Sequence, residues 1–171
     1  MTKKYGTLTR IALCCALLAV CAWIAIPFEP PFTLQTFAVF LCVGLLGGKY
    51  ACVTVLCYLV LGAVGVPVFA GFRGGIAQLV GPTGGDLLGF LPAVLITGYL
   101  PKKLPLFVRM LFGLLACYAF GTAWYCILYT KDAGIGGILA STLRCVVPFA
   151  LPDLLKLFLA TKATRILQKR L

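Results

Sequence analysis

Apolar runs of bilayer-crossing length follow one another along almost the whole chain, leaving little that could face water. Hydrophobic residues fill 62% of the 171 positions and charged residues only 11%. A water-soluble domain carries about a quarter of its residues as charges, so the deficit argues for a membrane. A crossing helix needs roughly 20 mainly apolar residues. That leaves room for about six crossings and short loops, with no separate soluble domain.

Breakers divide the chain, read as one membrane-embedded domain over 1–171, into expected spans at 8–26, 34–46, 50–66, 86–100, 106–129 and 138–160. Pro27 and Pro67 stop the first and third, and Gly47-Gly48-Lys49 is a turn signal between the second and third. Pro101-Lys-Lys-Leu-Pro105 and the polar 130–137 segment separate the rest, and Trp124 and Tyr125 sit near the end of the fifth, as interface anchors do. The first run follows basic residues as a signal peptide would. Val20 before Cys21 is a poor cleavage context and the run continues to Ile26, so it reads as a retained helix.

The formal charge of +11 takes its meaning from location. Lys3, Lys4, Arg10, Lys162, Arg165, Lys169 and Arg170 lie at the termini, and Lys49, Lys102, Lys103 and Arg109 in or beside two short connections. With six spans this is the positive-inside pattern, with both termini cytoplasmic. Basic clusters this short, without interleaved aromatics, fit anionic lipid headgroups and argue against nucleic acid. Nine scattered cysteines, without a C-x-x-C pair, do not form a disulfide framework. The absence of histidine excludes His-based metal sites and Ser-His or Cys-His catalysis.

One stretch breaks the apolar rule. Phe69-Ala-Gly-Phe-Arg73-Gly-Gly-Ile-Ala-Gln78-Leu-Val-Gly81-Pro-Thr-Gly-Gly-Asp86 joins the third and fourth spans, on the external side in this topology. Non-helical backbone at membrane depth survives where protein covers it or where it lines a cavity. Paired glycines, Gly74-Gly75 and Gly84-Gly85, let backbone approach a ligand closely. The plainer reading is a solvated loop whose glycines only make turns. In the last span Asp153 and Lys156 are three apart and share a helix face. Each would cost about 2.5–3.5 kcal/mol near a helix centre, and ionisable residues there commonly mark a substrate or ion pathway. A self-satisfied pair, or a Lys156 reaching the inner headgroups, is the alternative. Gln35 faces either a cavity or a neighbouring helix.

Gly74-Gly75, Gly81-Pro-Thr-Gly-Gly85 with Leu87-Leu-Gly-Phe90, Pro31-Phe-Thr-Leu-Gln-Thr36, and Pro148-Phe through Asp153-Leu-Leu-Lys156 together resemble the BioY family. Its members are the biotin-specific substrate-capture (S) components of energy-coupling-factor (ECF) transporters. The resemblance covers nearly the whole chain. It implies an all-α protein of six transmembrane helices, with a glycine-rich external loop between helices 3 and 4, in the bacterial cytoplasmic membrane. It implies biotin as the transported ligand, no cofactor, and partnership with a coupling subunit and two ATPase subunits. The implied pocket is Asp153 and Lys156 on the ureido group, with Arg73 or loop N–H groups on the carboxylate. Gln35, Phe32, Phe69, Phe72, Gly74, Gly75, Thr83, Gly84, Gly85 and Asp86 are its further candidates. Ala12 and Ala16, four apart, resemble the family's docking patch for the coupling subunit; helix packing within the chain is the plainer reading. An S component for another vitamin, or a small membrane enzyme using Asp153 and Asp86, are the alternatives. The chain departs from the family at Asp86, where tyrosine is usual, and at Pro152, where glycine is. An acid near an anionic ligand is unfavourable unless it pairs with Arg73.

Overall fold

The computed structural model describes residues 2–26, 32–129 and 134–170. The proline-rich connection at 27–31 and the polar loop at 130–133 lie outside them. Helix α1 (Thr2–Trp23) leads into two short strands, β1 (Ala25–Ile26) and β2 (Phe32–Thr33), paired antiparallel with Ala25 opposite Thr33. Then come α2 (Gln35–Ala63), a 3-10 turn (Ala70–Phe72), α3 (Ile76–Val80), α4 (Gly84–Tyr99), α5 (Leu106–Tyr129) and α6 (Gly134–Gln168).

Helix α2 is two limbs. Gly47 has φ 75° and ψ 170°, outside the helical region, a conformation that a residue without a Cβ adopts at little cost. A straight helix would hold residues 35 and 58 about 34 Å apart, yet Gln35 Nε2 donates to Tyr58 Oη at 2.7 Å. The chain therefore reverses at Gly47, where Gly47-Gly48-Lys49 signalled a turn. With that reversal the helices make six passes. At the same end a Cβ on Gly98 would run into the Gly48 backbone, so only glycines let α4 pass this close to the second limb. Arg109 of α5 donates to the Thr97 carbonyl from Nε (3.0 Å) and Nη2 (2.7 Å), capping the last turn of α4.

The burial pattern is that of a membrane protein. The fully buried core holds Leu18, Phe40, Val55, Tyr58, Val94, Met110 and Leu157, while Leu13, Phe112, Leu115, Ile127 and Leu155 are exposed. Gln35, Asp153 and Lys156 are buried instead. Large apolar side chains outside and ions inside suit a hydrocarbon surround. Among the described residues, three helical stretches, Gly6–Trp23, Gln35–Ala63 and Leu106–Leu128, are long and apolar enough to cross a membrane. Helix α2 packs on α1, α4 and α6, and α5 lies between α4 and α6.

The glycine-rich stretch is more ordered than a plain loop, since it contains the 3-10 turn and α3. Phe69 N–H donates to the Arg73 carbonyl at 2.9 Å and Gly75 N–H to the Gly62 carbonyl at 2.7 Å, so the segment folds back on the second limb of α2.

A candidate ligand site at the head of the bundle

Asp153 and Lys156 meet as the three-residue spacing requires. Lys156 Nζ lies 2.7 Å from Asp153 Oδ1, with both side chains buried. The other carboxylate oxygen, Oδ2, accepts from Tyr118 Oη of α5 at 2.6 Å. Lys156 Nζ also stands 4.5 Å from the centroid of the Phe32 ring, within cation–π range. Phe32 in turn stacks on Phe149 of α6 at 4.9 Å. The β1–β2 pair thus carries an aromatic ring from the far side of the chain onto the ion pair.

This network forms one wall of a cavity of about 140 Å³. A lone water occupies about 10–15 Å³ on this measure, so the space suits a small organic molecule. Arg73, Gln78, Thr83 and Asp86 line it from the glycine-rich segment and the start of α4. Thr33, Gln35 and Thr36 line it at the start of α2, and Phe69, Phe90, Leu114 and Phe149 give apolar surface.

Gln35 does both things its sequence context allowed. It lines the cavity, and its Nε2 donates to Tyr58 Oη, which donates onward to the Val68 carbonyl at 2.8 Å. That chain fixes the residue before Phe69. Phe69 is buried edge-on to Tyr58, 5.5 Å between centroids, where a Cβ on Gly62 would strike its ring.

The sequence candidates therefore sort by place. Asp153, Lys156, Arg73, Gln35, Phe69, Thr83 and Asp86 converge on the cavity. Phe32 reaches it through Lys156 and Phe149. Phe72 is exposed and stacks on Trp23 at 4.9 Å. The glycines are sites of close packing: a Cβ would meet the Val66 carbonyl at Gly74, the Leu79 carbonyl at Gly84 and the Trp124 side chain at Gly85. Gly75 serves backbone geometry with φ 96°. Among the described residues the recorded ion pair is Lys156–Asp153, so Asp86 and Arg73 share the cavity without pairing. Tyr118, Gln78 and Phe149 were not among the sequence candidates. No local signal marks Tyr118, because its partner lies 35 residues away.

Asp153 holds one internal donor on each oxygen and keeps lone pairs free, and Lys156 keeps N–H groups beyond the one it gives Asp153. The site can therefore offer both an acceptor and a cationic donor to one polar head, beside apolar walls. The sequence profile of the BioY family matches residues 1–171. The chain belongs to the BioY family. It is 41% identical over 159 residues to the biotin transporter BioY of Thermotoga maritima, covering 90% of each chain. It is 37% identical over 138 residues to the biotin transporter BioY of Rhodobacter capsulatus, covering 74% of this chain and 72% of that one. A crystal structure of the S component for biotin from an ECF-type ABC transporter superposes with a TM-score of 0.83 at 27% identity. That match covers 99% of this chain and 95% of the other.

Proposed function

We propose that this BioY-family chain captures biotin in the cavity described above, as the substrate-binding S component of an ECF-type transporter. It is a transport protein and not an enzyme. The observation that carries the reading is the buried Tyr118–Asp153–Lys156 network on the cavity wall. Ionisable residues inside a membrane bundle are costly and commonly mark a substrate or ion pathway. Biotin's ureido group has two N–H donors, which suit Asp153, and a carbonyl, which suits Lys156. Its fused rings and aliphatic chain suit Phe69, Phe90, Leu114 and Phe149. Arg73, exposed at the rim, suits the carboxylate.

In this reading both termini face the cytoplasm of a bacterial cell and the cavity opens toward the outside. The partners are a coupling subunit and two ATPase subunits. Ala12 and Ala16 are both exposed on α1, which favours docking over packing within the chain. The test is thermal unfolding of the detergent-solubilised protein with biotin, riboflavin or thiamine. Ligand at a hundred times its Kd stabilises by about 2.7 kcal/mol. A shift with biotin alone supports the reading, and a folded protein indifferent to saturating biotin refutes it.

A further inference from the structure

Asp86 occupies an unusual position. Thr83-Gly-Gly-Asp86 has the spacing of a helix capping box, in which the first residue's side chain bonds the third helical residue's N–H and that residue's side chain returns the bond. The box is not made here: Thr83, the N-cap with φ −88° and ψ −1°, forms no side-chain cap bond. The Asp86 carboxylate points instead to α5, where Oδ1 fills the space a Cβ on Gly121 would need. It lines the cavity, and among the described residues the ion pair is Lys156–Asp153, with none to this carboxylate. Asp153, by contrast, has a donor on each oxygen.

The two carboxylates are related through α5. Asp153 is held by Tyr118 and Asp86 lies against Gly121, three residues further on. Three residues of helix rise about 4.5 Å, so the two anchoring positions stand about a turn apart along one wall. A cyclic urea carries two N–H groups that diverge from a shared carbonyl, and a single carboxylate reaches one of them well. We propose that Asp86 is the second acceptor of this cavity, taking one ring N–H while Asp153 takes the other, and that Gly121 gives its carboxylate room. This inference rests on the biotin reading above and deepens it.

The experiment is equilibrium binding of biotin, and of its two mono-N-methylated ring ureas, to purified wild type, Asp86→Ala, Gly121→Ala and the double variant, each checked for folding by its melting curve. Asp86→Ala is expected to weaken biotin about tenfold or more, as loss of a hydrogen bond to a charged group does. It should also lose discrimination against one N-methyl isomer while keeping it against the other. Gly121→Ala should show the same loss, and the double variant should bind no worse than Asp86→Ala, because the methyl acts only by displacing the carboxylate. Should Asp86→Ala fail to fold, Asp86→Leu, of similar size and without an acceptor, carries the test and must also relax discrimination against that isomer. Binding within about twofold of wild type, with discrimination against both isomers intact, overturns the role of Asp86 alone. A folded wild type that binds no biotin overturns the biotin reading together with this inference.

Discussion

Breaking the Lys156–Asp153 pair from either side should damage the fold more than removing both charges together. The two groups are 2.7 Å apart, with side chains 8% and 5% exposed. Removing one partner of a buried pair leaves an uncompensated ion and costs about 3–5 kcal/mol, whereas replacing both by apolar or neutral groups is often close to neutral. Lys156→Met leaves Asp153 with Tyr118 as its remaining recorded donor. Asp153→Asn leaves an ammonium facing the Phe32 ring. Each single variant should therefore melt several degrees lower. For a chain of this size 1 kcal/mol corresponds to roughly 2–4 °C, so a drop of about 6–20 °C is expected. The double variant should melt above the lower of the two singles. A thiol-reactive dye reads this well, because Cys14, Cys15, Cys21, Cys42 and Cys117 are buried in the folded state. Biotin binding, by contrast, should be weak in all three variants. Strictly additive destabilisation in the double variant would mean the two charges do not depend on each other and would refute the coupling of this pair.

Three further outcomes follow from other contacts. Tyr58→Phe leaves the buried Gln35 amide without its acceptor and the Val68 carbonyl without its donor. It should cost about 1–3 kcal/mol and weaken ligand binding through Phe69, measured by melting and by titration. Gly98→Val forces a side chain into the Gly48 backbone, where neither helix can yield. A loss of about 1–3 kcal/mol is expected from overpacking, and an unchanged melting temperature would contradict the close crossing. Ala12→Leu with Ala16→Leu adds bulk to an exposed face. It should abolish biotin uptake in cells while leaving the Kd of the purified protein unchanged; loss of both would favour packing within the chain.

Much of this architecture is legible from local signals. Apolar runs bounded by Pro67, Pro101 and Pro105 mark helices, and Gly47-Gly48-Lys49 marks the point where α2 turns back. The i, i+3 spacing of Asp153 and Lys156 is enough to predict their contact. What spacing cannot supply is a partner on another helix. Tyr118 meets Asp153 only because α5 packs beside α6. The glycines show the same limit. Their sequence says that something must come close, and the structure identifies carbonyls and Trp124 as what does. Phe72 is aromatic, like a pocket wall, but its φ of 57° turns it outward onto Trp23. Side-chain direction at such a turn follows from the backbone, which composition does not determine.

In the proposed function the buried pair on α6 holds biotin. The most direct test is equilibrium binding of labelled biotin to the solubilised wild type and to Asp153→Asn, a nearly isosteric change that removes the charge. Saturable binding to the wild type, undisturbed by excess riboflavin or thiamine, is expected, with a loss of about tenfold or more in the folded variant. Equal affinity in the two proteins would contradict it.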